Sequence, residues 1–166
     1  MKKSIVELLK TQLGCELSGM KNDDITTYVD IEASKITEAC VLVKKEAEGI
    51  LVSMFAVDES GKGVSKAADG IAYSIYYVFS LRTFGKLLVL KTALTVPLIA
   101  SISNDLPAAG LYEREIQEMF GISFMDSPDP RRLVLHENWP EGHYPLKKDF
   151  NINTKPPFAN GEYQFA

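Results

Sequence analysis

Cysteine and histidine are scarce in this 166-residue chain, at two of each. Cys15 and Cys40 lie far apart in segments that read as helix, so no Cys-x-x-Cys pair exists, and an iron-sulfur cluster or structural zinc held by this chain alone is not expected. His136 and His143 flank Glu137 and Glu141, but the Pro, Trp and Gly around them predict irregular chain, not a helix that aligns ligands, so no metal site is expected there. Long apolar runs are also missing. Nothing approaches the roughly 20 residues a membrane span needs, and the amino-terminal MKKSIVELLKTQLG carries acid and amide groups where a signal peptide needs an unbroken apolar region. The expectation is an intracellular soluble chain, or one held peripherally to something larger. Basic excess is absent too: 18 Lys and Arg stand against 22 Asp and Glu, a net charge of −4, which argues against nucleic-acid binding by bulk electrostatics. The glycines fit no phosphate loop, since Gly61-Lys62-Gly63 lacks the following spacing.

What the chain does have is 46% hydrophobic residues, enough for one core. Ile5, Leu8, Leu9 and Leu13 predict an opening amphipathic helix, with Ser4 as its N-cap and Gly14 as its end. Thr26 to Glu32 alternates as a half-buried strand does. Ser34 is expected to cap a second helix through Ile36, Cys40, Val43 and Ala47, ended by Gly49, with Cys40 as a small core residue. Ile50–Val57 and Ile71–Leu81 read as strands, the latter with Ile71, Tyr73, Ile75, Tyr77, Phe79 and Leu81 on one face. Arg82 to Gly85 then makes a short turn into a partner strand over Lys86–Thr95. The reading is an α+β domain over residues 1–121, a mostly antiparallel sheet with helices on one face. Its last element is a charged helix from about Ala108 to Phe120, closed by Gly121 in a left-handed cap.

From residue 122 to 166 periodicity fades, and six of the eight prolines fall there: Pro128, Pro130, Pro140, Pro145, Pro156 and Pro157. Disordered tails are poor in large apolar groups, yet this segment carries Phe124, Met125, Leu133, Val134, Leu135, Trp139, Tyr144, Leu146, Phe150, Phe158, Tyr163 and Phe165. It reads as an extended C-terminal arm whose aromatic anchors and basic pairs, Arg131–Arg132 and Lys147–Lys148, lie either over a partner protein or back over its own domain. Trp139 is the expected main anchor. In the charged helix, Glu113, Arg114, Glu115 and Glu118 read as a solvated or salt-bridged face with Arg114 and Glu118 one turn apart. No nucleophile or oxyanion loop accompanies them, so no catalytic residue is expected.

Three linked blocks then become specific: Tyr-Glu-Arg-Glu-Ile-Gln-Glu-Met-Phe-Gly from 112, Pro-Asp-Pro-Arg-Arg-Leu from 128, and Trp-Pro-Glu-Gly-His-Tyr-Pro-Leu-Lys-Lys-Asp-Phe from 139. Together they resemble the signature of the complex I C subunit family, found in NADH:quinone oxidoreductases and in membrane-bound [NiFe] hydrogenases. The likeness covers most of residues 50–150, with Leu-Arg-Thr at 81–83, Pro97 and Ser101 upstream. The positions that match are Glu113, Arg114, Glu115, Phe120, Gly121, Asp129, Arg131, Arg132, Trp139, Pro145, Leu146, Lys148 and Asp149. Two departures stand out: Gln117-Glu118 replaces a common Tyr-Asp, and Lys147 replaces the usual Arg and so loses a planar fork. The form of residues 129–146 is most like the branch in energy-converting hydrogenases and formate hydrogenlyase.

The resemblance implies a non-catalytic, hydrophilic peripheral-arm subunit that binds no cofactor itself and lays its arm on a hydrogenase-like large subunit. It also implies an iron-sulfur small subunit and membrane-arm subunits as further partners, with the [NiFe] centre and iron-sulfur clusters held by those chains. It places the chain at the cytoplasmic side of the cell membrane, attached only through the complex. The alternatives are the C subunit of an NADH:quinone oxidoreductase, or a free-standing enzyme using Glu113, Glu115 and His143, or a small adaptor.

Overall fold

The structure, a computed structural model, describes residues 5–13, 20–22, 25–60, 73–82 and 85–151. Ser4, Gly14, Cys15, Ile71 and the aromatic residues beyond 151 lie outside the described residues. Three α-helices, α1 (Ile5–Leu13), α2 (Ile36–Glu46) and α3 (Ala109–Phe120), accompany strands β1 (Met20–Asn22), β2 (Thr26–Asp30), β3 (Gly49–Asp58), β4 (Tyr73–Leu81), β5 (Lys86–Leu94), β6 (Leu98–Ala100) and β7 (Ser123–Met125).

The main sheet runs β1-β2-β5-β4-β3, antiparallel except where β2 lies parallel to β5. This mixed α+β layer agrees with the pattern read from sequence; the parallel pair and β1 were not anticipated. The expected hairpin of β4 and β5 forms, and Tyr73, Ile75, Tyr77, Phe79 and Leu81 of β4 are all buried on one face. Period-two alternation of large apolar groups compels this, because any one-residue slip would turn the whole set to water. Strand β2 reaches β3 through α2, and β3 and β2 point the same way with two strands between them, so α2 must cross one face of the sheet. There Ile36, Ala39, Cys40 and Val43 join α1's Ile5, Leu9 and Leu13 and α3's Ile116 and Met119 in a single core. Burial holds the Cys40 thiol far above its usual range, with the nearby Glu113 charge adding to it, so this cysteine is an inert core group.

Three local expectations need correction. Strand β2 stops at Asp30, and Ser34 sits inside a 3-10 turn over Ala33–Lys35, bonding Glu32 and not capping α2. The end of α2 is not made by Gly49. Glu48 takes the positive φ of 50°, and Gly49 opens β3, where a Cβ would fall 2.5 Å from Val43 Cγ1. The segment after Pro97, read as plain loop, supplies β6, which pairs in parallel with β7. That short ribbon bridges the two sides of α3 in sequence, since β6 precedes the helix and β7 follows it.

Candidate functional site

Helix α3 and the chain after it hold every residue of the three sequence blocks. Glu113 lies on the buried side of α3 and is 1% exposed. One carboxylate oxygen accepts the Ile102 amide at 2.8 Å and the other the Ser101 hydroxyl at 2.7 Å, with Ser103 bonded behind Ser101 at 2.6 Å. The expected solvated face is therefore wrong for this residue: Glu113 staples the β6–α3 connection to the helix, and its hydrogen bonds compensate for burial. Tyr112 fixes the same helix to β3 by donating to the Val52 carbonyl at 3.0 Å, at the bulge where β3 slips register.

One turn on, Arg114 and Glu118 form no pair with each other. Both reach the loop at 131–135. Arg114 donates to the carbonyls of Arg131 and Arg132, each at 2.6 Å, and to Asp129 at 3.4 Å. Glu118 accepts the successive amides of Leu133, Val134 and Leu135 at 2.6, 2.7 and 3.0 Å. A cationic and an anionic side chain on one helix face thus satisfy backbone acceptors and donors that no strand supplies. The loop is clamped, and its side chains Leu133 and Val134 are left 41% and 58% exposed. Burial pushes the Glu118 carboxyl up, but the three amides and the Arg132 charge outweigh it, and the group lies below its ordinary value.

The arginine pair finds its partners inside the chain. Arg131 forks onto Asp129, with both contacts at 2.7 Å, which drives the Asp129 carboxyl far down. Arg132 donates to the carbonyls of His136 and Trp139 at 2.9 and 3.0 Å. Trp139, half-buried, donates from its indole to the His143 carbonyl at 2.7 Å and stacks on Phe150 at 6.4 Å between centroids. His136 accepts the Asn138 amide on Nδ1.

The remaining block positions tie this loop to the domain. Gly121, with φ 74°, caps α3 as expected, and its bare Cα faces the Tyr144 ring. The Leu146 amide, directly after Pro145, donates to the Met119 carbonyl at 3.1 Å although the Leu146 side chain is exposed. The Lys148 amide bonds the buried Asp58 at 2.9 Å, and its ammonium reaches the Ser60 carbonyl. Lys147 lies 3.8 Å from Asp149 and above the Tyr144 ring. Phe120 belongs to the core. Of the candidate catalytic groups, Glu113 is enclosed, Glu115 lines a 120 Å³ groove beside β3, and His143 lines a different cavity of 390 Å³. Among the described residues no group of three or more His, Cys, Asp or Glu is placed to hold a metal ion.

Known proteins share both sequence and fold with this chain. Residues 29–156 match the family described as respiratory-chain NADH dehydrogenase, 30 Kd subunit. The chain belongs to that family. As a member of the 30 Kd subunit family it is 28% identical to Hydrogenase-4 component G of Escherichia coli (strain K12) over 98% of its own length and 29% of that protein's. It is 38% identical to Formate hydrogenlyase subunit 5 of the same organism over 46% of its length and 14% of that protein's. It is 39% identical to NADH dehydrogenase [ubiquinone] iron-sulfur protein 3 of Oryza sativa subsp. japonica over 48% of its length and 40% of that protein's. The chain therefore spans well under half of these relatives. Its fold is shared with a chain of the membrane-bound sulfane sulfur reductase, an archaeal respiratory membrane complex, at TM-score 0.72, 18% identity and coverage of 97% and 90%. It is shared also with the trypsin-resistant fragment of Nqo5 at TM-score 0.63, 14% identity and coverage of 76% and 99%.

Proposed function

We propose that this 30 Kd family member is a non-catalytic peripheral-arm subunit of a membrane-bound, complex I-like energy-converting [NiFe] hydrogenase, and that its C-terminal third docks on the large subunit. The observation that carries the reading is the match to Hydrogenase-4 component G along 98% of this chain but only 29% of that protein. In that relative the equivalent of this fold is covalently joined to a much longer polypeptide, which fits a domain whose work is done against a neighbour. The clamped loop at 131–135 supports it, since rigid chain that turns Leu133 and Val134 outward loses little entropy on binding. No helix among the described residues is long and apolar enough to cross a membrane. In this reading the chain is held through the complex, at the cytoplasmic side of the membrane. The [NiFe] centre and iron-sulfur clusters belong, in this reading, to the large subunit and the iron-sulfur small subunit.

A second reading, the C subunit of an NADH:quinone oxidoreductase, is favoured by the 42% identity over 106 residues with the C/D subunit of the NADH-quinone oxidoreductase of Methylococcus capsulatus (strain ATCC 33009 / NCIMB 11132 / Bath). Co-expression tests both. Tagged chain is expected to co-purify at equal stoichiometry with the hydrogenase-like large subunit of its own host, which carries nickel-binding cysteine pairs, and to show no activity alone. A large subunit without those cysteines would transfer the assignment to the quinone enzyme, and no complex at all would refute docking.

A further inference from the structure

Three guanidinium groups lie beside the clamped loop, and one carboxylate serves two of them. Asp129 holds the fork of Arg131 and the edge of Arg114. Glu118 has both oxygens on backbone amides. Arg132 meets no carboxylate within 4.0 Å among the described residues, and its two bonds to the carbonyls of His136 and Trp139 leave the rest of a five-donor guanidinium unmatched. Those two bonds also fix its plane. It borders the 390 Å³ cavity, whose other walls include Gln117, Trp139, Tyr144 and two acidic residues, Glu141 and the Glu118 already committed to backbone amides.

An oriented cation with free donors, set between aromatic walls, is complementary to a short anionic side chain whose methylenes pack on the rings and whose oxygens meet the fork. A neutral apolar occupant would cover Arg132 without offering acceptors to its remaining donors, which is costly. We propose that this cavity receives an acidic side chain, Asp or Glu, of the large subunit. The assignment rests on the docking reading above and names the place and chemistry of the contact.

Gln117 provides the test, because it lines the cavity beside Arg132. Gln117→Glu places a carboxylate in the cavity at almost unchanged volume and leaves the Arg114 and Glu118 clamp untouched; Gln117→Lys adds the opposite charge. Affinity of the full chain for its host's hydrogenase-like large subunit is measured by titration calorimetry in low and high salt. Gln117→Glu is expected to weaken binding by about tenfold at about 50 mM salt and by less than about threefold at about 0.5 M, where screening is short-ranged. Gln117→Lys should bind as wild type or more tightly, and both should melt with wild-type midpoints. Equal affinity of wild type and Gln117→Glu, or equal weakening by Glu and Lys, overturns the acidic-side-chain assignment while docking stands. Failure of the wild-type chain to bind overturns the docking reading itself.

Discussion

Gly121→Val is expected to destabilise the protein by about 3 kcal/mol. At φ 74° the left-handed region alone costs a side-chain-bearing residue about 1–2 kcal/mol. The added Cβ would then fall 2.5 Å from two atoms of the Tyr144 ring, which must move. That ring belongs to the stretch whose Leu146 amide is bonded to the last turn of α3, so the displacement propagates to the Lys148–Asp58 contact. A drop of about 6–12 °C in the thermal midpoint is the corresponding signal for a chain of this size. An unchanged midpoint would mean that the cap and the Tyr144 contact carry no weight.

Glu118→Ala should release the loop at 131–135 at a cost of about 2 kcal/mol, a value set by three charge-assisted hydrogen bonds discounted because the freed amides regain water. Trp139, the single tryptophan, reports it: its emission should shift to the red at lower urea than the loss of helix signal. Acid should reproduce the effect in the wild type. Because the folded Glu118 carboxyl titrates below its ordinary 4.5, its contribution is whole above that pH and disappears as pH falls through the lowered folded value. Asp58, held below 3.8 because amide and hydroxyl bonds from Ser60 and Lys148 outweigh the effect of burial, adds to the same acid loss. Coincident Trp139 and helix transitions in Glu118→Ala, at wild-type urea, would contradict the clamp.

How much of this could be read beforehand depends on how local the cause is. The β4–β5 hairpin and the Gly121 cap are written in short-range signals, alternation in one case and a glycine after an apolar-periodic helix in the other, and both appear where expected. The parallel pairing of β2 with β5 depends on a partner some sixty residues away and leaves no local trace. Glu113 and Glu118 show the same limit inside the site. On a helix, four charged residues in six positions look like a solvated face, and only the approach of Ser101 and of the 133–135 backbone turns two of them into structural acceptors. One signal was present: a proline-rich stretch with no strand or helix of its own has amides that need acceptors, and the helix just before it, α3, carries three carboxylates. The described part of the C-terminal stretch, through residue 151, lies against α3 and β3, so its aromatic content is already partly engaged with its own domain.

Central to this picture is that α3 presets the 131–135 loop as a docking element before any partner arrives. Amide hydrogen exchange on the isolated chain measures this directly at Leu133, Val134 and Leu135. Slowed exchange at all three without a large subunit, abolished in Glu118→Ala, is the expected result. Exchange at the rate of free chain, slowing only when the large subunit is added, would contradict it.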